Sequence, residues 1–171
     1  MRIILMAVAL PLLAACQSVP SNAPRATASL QPTKGNQTSG TVTFVEAGAR
    51  VRVNAVVVGL KPGSEHGFHV HEAGDCSSGD GMSTKGHFNP HGKPHAHFST
   101  AERHVGDMPS LKADTNGRAE ANFELDVMTV SPGPASVVGR GLIVHADPDD
   151  YRTQPTGNAG ARIACAVIQR S

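Results

Sequence analysis

Aromatic residues, net charge and helical periodicity are scarce in this sequence, and each absence narrows what the chain can be. Aromatics are 4% of 171 residues, with no tryptophan and one tyrosine, so valine, isoleucine, leucine and alanine must fill a modest core. The formal net charge is +1, which provides no general field to attract nucleic acid or an anionic membrane surface. No segment has a long helical period, whereas 18 glycines and 12 prolines favour short strands separated by turns.

Long apolar runs are also scarce, and the longest lies at the N-terminus. The run IILMAVALPLLAA covers residues 3–15 and follows Arg2. It is too short to span a bilayer comfortably and has the length of the apolar part of a signal peptide. Its end, LAAC, closes on Cys16 and resembles the lipobox of bacterial lipoproteins, which implies cleavage before Cys16 and lipid attachment to its sulfur. We therefore predict an exported protein, with an ordinary secretory signal as the alternative.

The segment after Cys16 sets the expected domain boundaries. Gln17 at this position favours the outer membrane in bacterial lipoproteins, so we expect the protein in the periplasm or cell envelope, with Cys16 as its only membrane attachment. Residues 17–39 are rich in Ser, Pro, Thr, Ala, Gln and Asn, a composition that predicts a disordered tether. The expected domains are a signal peptide at 1–15, the anchor cysteine and tether at 16–39, and a folded domain at 40–171.

Cysteine is scarce as well, with three in the chain. If Cys16 carries lipid, Cys76 and Cys165 remain, and outside the cytoplasm such a pair favours a disulfide. Two buried free thiols are the alternative, which is the less common arrangement in an oxidising compartment.

The rest of the chain alternates with the period of β-strands. In ARVRVNAVVVGL, residues 49–60, valines and an alanine share one face while Arg50, Arg52 and Asn54 share the other. Asn116-Gly117 lies between two alternating segments and is a strong hairpin signal. SVVGRGLIVH and RIACAVIQ supply further strands. Short strands at turn-marked spacing predict an all-β antiparallel sandwich or barrel.

Histidine is the residue that is concentrated. Eight of the nine histidines lie between His66 and His104, and the segment closes on Asp107. Imidazole nitrogens with a carboxylate suit zinc and copper rather than calcium or magnesium. In GFHVH, residues 67–71, the two histidines alternate with Phe68 and Val70, so we expect the imidazoles to project outward from the barrel wall.

Five motifs in order carry a specific resemblance: GFHVH, GHFNP, ERHVGD, GLIVHADPDD and TGNAGARIAC. With them the chain resembles the copper/zinc superoxide dismutases from about Gly40 to its end. The resemblance implies an eight-stranded antiparallel Greek-key barrel with long metal-binding and electrostatic loops. It also implies disproportionation of two superoxide anions to oxygen and hydrogen peroxide by alternating reduction and oxidation of copper, protecting the cell envelope from superoxide.

The same resemblance implies the metal ligands, for one copper and one zinc ion per subunit. Carried over by motif, copper is held by His69, His71, His87 and His145. Zinc shares His87 and is further held by His95, His104 and Asp107. His97 is the rival of His95, two residues away. His87 is expected to be catalytic, because its copper-side nitrogen can deliver a proton while zinc keeps the other nitrogen.

Three further features are implied by motif position. Asp149 matches the carboxylate that hydrogen-bonds a copper ligand and a zinc ligand, with Asp150 as the alternative. Arg162 matches the arginine that guides superoxide to copper, a role suited to a permanently charged guanidinium. Cys76 and Cys165 match the family disulfide.

The remaining ionisable residues have weaker assignments. His66, His91 and His97 match no ligand, and we expect them to be exposed loop residues. Lys85, Lys93 and Arg103 are candidate steering charges, since the loops differ in length from those of the eukaryotic enzymes. A homodimer is compatible with the resemblance. A copper-delivery protein on the same barrel and a structural lipoprotein are the alternative functions, and neither requires Arg162 and Asp149 beside the ligands.

Overall fold

The computed structural model describes residues 20–171, which form β-strands joined by long loops. The predicted signal peptide and Cys16 lie outside the described residues. Among residues 20–171 the helical structure is one 3₁₀ turn, Met82–Thr84, and no helix there is long and apolar enough to cross a membrane. The strands are β1 (Arg25–Pro32), β2 (Ser39–Ala47), β3 (Arg50–Val58), β4 (Glu65–His66), β5 (Phe68–His71), β6 (Leu111–Lys112), β7 (Ala119–Leu125), β8 (Gly141–His145), β9 (Arg162–Val167) and β10 (Gln169–Arg170).

Eight of these ten strands form one curled antiparallel sheet, which confirms the all-β prediction. Its order is β5-β8-β9-β1-β2-β3-β7, β10 pairs with the start of β1, and β4 pairs with β6 in a small second sheet. The order is not the chain order, because the chain crosses between the two ends of the sheet three times, from β3 to β5, from β5 to β7 and from β7 to β8. The concave face encloses the core, to which Phe44, Phe68 and Leu142 contribute fully buried side chains.

Strand β3 shows how alternation produces this face. Val51, Val53 and Val57 are fully buried, while Arg52 reaches across to Glu124 on β7 with an ion pair of 3.0 Å on the exposed face. The predicted turn at Asn116-Gly117 is present, with the Asp114 N–H donating to the Arg118 carbonyl at 2.8 Å. Its flanking strands do not pair as one ladder, however, because β6 pairs with β4 and β7 pairs with β3.

The prediction of a disordered tether at 17–39 was wrong for most of that segment. Residues 25–32 form β1, which lies between β2 and β9 near the middle of the sheet. Ala26, Ala28 and Leu30 alternate with exposed residues and are at most 1% exposed, so this strand contributes to the core. The prediction failed because the segment's few apolar residues are mostly small, so their period-two pattern is weak beside the surrounding Ser, Thr and Gln residues. The folded domain therefore begins near Arg25 rather than at residue 40.

The disulfide between Cys76 and Cys165 is present and joins parts of the chain that are 89 residues apart. Cys165 lies within β9, opposite Gln31 of β1 and Ile143 of β8. The bond therefore attaches the loop after β5 to the centre of the sheet. A hydrogen bond from the Lys34 N–H to the Gly79 carbonyl, 2.7 Å long, ties the same loop to the end of β1.

Candidate metal centre

Two neighbouring strands supply the first histidines of the site. Phe68 and Val70 of β5 enter the core, so His69 and His71 project from the opposite side of the sheet, as the alternation predicts. His145 lies at the end of β8, the strand paired with β5. Both β5 imidazoles are nonetheless fully buried, because loops cover the outer wall of the barrel.

The loop between β5 and β6 brings the remaining groups against β5. The two strand histidines each make an isolated bridge to this loop, His69 with Asp107 and His71 with His87. The Val70 N–H donates to the Gly106 carbonyl at 3.0 Å, and the Phe88 N–H donates to the Val70 carbonyl at 2.9 Å. The loop is thus held as an extra layer on β5, although it contains little regular secondary structure.

Four histidines form the first cluster, and they are the four predicted to hold copper. Their ligand atoms all lie within 4.8 Å of one another. His145 Nε2 lies 3.4 Å from His71 Nε2. The Nδ1 atom of His69 and the Nε2 atom of His87 are buried without any hydrogen-bond partner, which is costly for a polar group. A metal ion at this point would satisfy both atoms, so the residues fit copper. The cluster is His69, His71, His87 and His145.

Three histidines and a carboxylate form the second cluster, which matches the predicted zinc set. Its ligand atoms also lie within 4.8 Å of one another. The Oδ1 atom of Asp107 lies 2.9 Å from the Nδ1 atoms of both His87 and His95, and 3.4 Å from Nδ1 of His104. Three imidazoles and a carboxylate in a closed, buried set are a structural zinc composition. His97 is outside this cluster, and its Nδ1 contacts Ser99 Oγ at 2.7 Å instead.

His87 belongs to both clusters and turns a different nitrogen to each. Nδ1 faces Asp107, and the unpartnered Nε2 faces the four-histidine cluster. The ring centroids of His87 and His69 are 4.0 Å apart. One imidazole can therefore bridge two metal ions, since both ring nitrogens carry a lone pair once the ring is deprotonated.

Asp149 connects the two clusters through hydrogen bonds to one histidine of each. Its Oδ2 accepts from Nε2 of His69 at 2.7 Å, and its Oδ1 accepts from Nε2 of His95 at 2.9 Å. These bonds fix Nε2 as the protonated nitrogen of each ring and leave Nδ1 to face a metal. Asp150 does not compete for this position, because its carboxylate caps the turn at Arg152 and Thr153.

Burial keeps the four-histidine cluster neutral. Desolvation, reinforced by the neighbouring His87, lowers the pKa of His69 to about 3. Desolvation also lowers the pKa of His145 to about 4, and the pKa values of His71 and His87 fall for the same reason. Neutral imidazole is the form that binds a metal ion. Burial therefore favours the uncharged form of these rings, in which a ring nitrogen can bind a metal ion.

The carboxylates have the opposite effect on the second cluster. Burial favours neutral His95, but its hydrogen bonds to Asp107 and Asp149 outweigh burial and raise its pKa to about 9. Burial also tends to raise the pKa values of the Asp107 and Asp149 carboxyls. Hydrogen bonds from the histidines outweigh burial and hold both pKa values well below their usual range. In the absence of a metal ion, this raised pKa favours a proton on His95, and a metal ion bound at Nδ1 would take the place of that proton.

Arg162 begins β9 and is held by the disulfide-bearing loop. Its guanidinium donates to the Gly81 carbonyl at 2.6 Å, to Thr84 Oγ1 at 2.8 Å and to the Lys85 carbonyl at 2.6 Å. The Lys85 carbonyl also accepts from Nδ1 of His71 at 2.9 Å. One carbonyl thus connects the arginine to a histidine of the first cluster. The backbone of Lys85 has a φ of 63°, which is unusual for a residue other than glycine.

His66 was wrongly predicted to be an exposed bystander. It is 1% exposed, its Nδ1 donates to the His145 carbonyl at 2.8 Å, and its Nε2 lies 2.8 Å from Ser64 Oγ. The sequence contained the signal, because His66 has the same parity as Phe68 and Val70 and so faces inward with them. His91 is exposed, and His97 is half-buried against Phe98 and Tyr151.

Arg103 was also misjudged as a candidate steering charge. Its side chain is buried, and it donates to the Thr100 carbonyl at 2.6 Å and to Asp126 at 2.7 Å, so its charge is already neutralised. Lys93 pairs with Glu102, and Lys85 pairs with Glu72 at 3.3 Å. Of the three, only these lysines are exposed enough to act on an approaching anion.

A curled antiparallel barrel whose outer wall carries two buried clusters sharing one imidazole defines a bimetal protein. The family model for copper/zinc superoxide dismutase matches residues 38–168. The chain is 46% identical over 135 residues to a superoxide dismutase [Cu-Zn] of Paramecium bursaria Chlorella virus 1, covering 75% of this chain and 71% of that protein. It is 37% identical over 149 residues to superoxide dismutase [Cu-Zn] 2 of Aquifex aeolicus strain VF5, covering 85% and 86%.

A solved structure, the clock protein EA4, is also similar, with a TM-score of 0.78, 38% identity and coverage of 90% of this chain and 98% of that chain. Together with the site geometry, these similarities show that the chain belongs to the copper/zinc superoxide dismutase family. It is an oxidoreductase that converts superoxide to oxygen and hydrogen peroxide, with copper and zinc as its metals.

Replacing Asp149 with asparagine tests whether this carboxylate orients both clusters. An asparagine side chain has the same size but offers only one acceptor oxygen, so either His69 or His95 would lose its partner. We expect the affinity for at least one metal to fall about 10- to 100-fold in Asp149→Asn, the usual effect of removing such a partner. Competition with chelators of known affinity measures it. Asp150→Asn is the matched control, and equal affinities in the two variants would contradict the assignment.

Proposed function

We propose that this dismutase holds copper in the four-histidine cluster and zinc in the cluster with Asp107, with His87 shared between them. The observation that carries the proposal is the pair of donor sets, each within 4.8 Å, that meet at one imidazole. The two unpartnered nitrogens, His69 Nδ1 and His87 Nε2, support copper at the first set. The three Nδ1 atoms converging on Asp107 support zinc at the second.

Arg162 is the proposed receptor for superoxide. Its side chain is linked through the Lys85 carbonyl to His71, so its positive charge lies beside the copper cluster. Three hydrogen bonds to the loop fix the guanidinium in one position, which reduces the entropy lost when it receives an anion. A permanently charged, planar guanidinium suits a small oxyanion.

His87 is the proposed proton carrier. When bound, copper supplies the one-electron reduction and oxidation that convert two superoxide anions to oxygen and hydrogen peroxide. Peroxide formation consumes protons, and Nε2 of His87 is the ring nitrogen free to hold one, because Nδ1 is engaged with the Asp107 side. Asp149 keeps His69 and His95 in one tautomer throughout, so the cluster keeps its geometry while the proton moves.

Removing the guanidinium tests the role of Arg162. We expect Arg162→Ala to bind copper and zinc normally and to lose about tenfold or more in kcat/KM, because electrostatic guidance contributes rate factors of this size. The kcat/KM of Arg162→Lys should lie between those of the wild type and Arg162→Ala, since lysine keeps the charge but has fewer donors for the loop. Superoxide decay after pulse radiolysis, measured at several salt concentrations, gives the rates.

Arg118→Ala is the matched control for that experiment. Arg118 is an exposed arginine paired with Glu120, and it contacts neither cluster. Its removal should leave kcat/KM unchanged. If Arg162→Ala with full metal content is as fast as this control, Arg162 does not guide the substrate.

We also propose that the protein is exported and anchored in the cell envelope by lipid on Cys16. Residues 2–16 support this proposal by their charge, apolar length and LAAC end. The disulfide supports an oxidising compartment, where such bonds persist. The outer membrane is the favoured location. Homodimer formation stays a prediction, for which sedimentation of the metal-loaded protein is the measurement.

Labelling of growing bacterial cells with radioactive palmitate tests the anchor. The full chain should incorporate label and partition with membranes, whereas Cys16→Ser should do neither. Cys76→Ser is the control, because it also removes a cysteine but leaves the predicted lipidation site intact. A full chain that is processed at its N-terminus but carries no label would refute lipidation and favour an ordinary secretory signal.

A further inference from the structure

The side-chain amide of Gln154 pairs with both polar backbone groups of His95. Gln154 Oε1 accepts from the His95 N–H at 2.9 Å, and Gln154 Nε2 donates to the His95 carbonyl at 2.7 Å. This two-bond arrangement is the one that a neighbouring strand would make with a residue of a β-ladder. Here a side chain that is 59 residues away along the chain takes the place of the strand.

The segment around His95 needs such a substitute. Residues 93–98 have no regular secondary structure. Three other backbone groups of this segment also bond to side chains, since the Lys93 N–H and carbonyl both bond to Asn89 and the Ala96 N–H donates to Asp107. The backbone position of His95 therefore depends on side-chain contacts rather than on a sheet.

The loop that carries Gln154 also holds the imidazole of His95. Asp149 accepts from its Nε2, five positions before Gln154 contacts its backbone. The chain just after Gln154 folds back on Asp149. Gly157 turns back against Asp149 with φ 68°, and a Cβ atom at this glycine would overlap the Asp149 carboxylate. Ring and backbone of one zinc-cluster histidine are thus held by one loop, while Asp107 holds the ring from the opposite side.

We propose that Gln154 is a positioning residue for zinc, fixing the backbone of His95 so that its Nδ1 stays directed at the cluster. The proposal rests on the assignment of zinc to that cluster. Gln154 itself offers no atom to the metal, because both of its polar atoms are engaged with the His95 backbone. Asp149 fixes the ring of His95 and Gln154 fixes its backbone. Zinc retention therefore depends on the loop that leads from Asp149 to Arg162.

Zinc retention in the full copper- and zinc-loaded protein tests the proposal. For Gln154→Ala we expect the zinc dissociation constant to rise about tenfold, the lower end of the range for lost outer partners. Gln154→Glu keeps the acceptor for the His95 N–H but loses the donor to its carbonyl, so it should also bind zinc more weakly. Competition with a zinc chelator gives the constants. Cobalt(II) placed in the zinc cluster gives a second readout, because its visible absorption changes when a ligand is displaced.

Gln169→Ala is the matched control, since Gln169 is an exposed glutamine on β10 that belongs to neither cluster. Wild-type zinc affinity in Gln154→Ala, with an unchanged cobalt spectrum, would overturn the proposal even if the melting temperature fell. Weaker zinc binding in Gln154→Ala and an altered cobalt spectrum, both absent from the control, support it. If the wild-type protein itself failed to bind zinc at this cluster, the metal assignment would be wrong. That result differs from one in which the wild type binds zinc and the Gln154 variants bind it equally well, which would refute only the role of Gln154.

Discussion

The arrangement of the two clusters depends most on the two hydrogen bonds of Asp149. One carboxylate accepts from His69, a strand residue of the four-histidine cluster, and from His95, a loop residue of the cluster with Asp107. It sets the tautomer of both rings, and so leaves Nδ1 of each ring directed into its cluster. Burial makes the arrangement strict, since an imidazole with an unmade hydrogen bond in this interior would cost free energy. The two metal sites are therefore one coupled unit.

The rest of the structure serves to keep that unit in place. The sheet supplies a rigid wall at β5 and β8, and the loops supply the groups that the wall cannot reach. The disulfide and the three hydrogen bonds of Arg162 bind one loop to β9. Asp149 and Gln154 bind the other loop to His95. Long loops normally open at low free-energy cost, and these cross-connections are what oppose that tendency.

The sequence was most informative where chemistry requires particular residue types at short spacing. The alternation in residues 67–71 predicted which side of the sheet carries His69 and His71, and the five motifs pointed to the family. It was less informative where burial depends on distant segments. Strand β1 was missed because its core residues are mainly alanines, and the burial of His66 and Arg103 depends on partners at positions 145 and 126. The contact of Gln154 with His95 had no local signal at all, since it spans 59 residues and uses no motif.

Anomalous X-ray scattering from crystals of the protein loaded with both metals shows which metal each cluster holds. Difference maps from data collected on either side of the copper and zinc absorption edges assign each metal by element. We expect copper among His69, His71, His87 and His145, zinc among His87, His95, His104 and Asp107, and His87 between the two peaks. Copper in the Asp107 cluster, or zinc ligated by His97 in place of His95, would contradict this assignment.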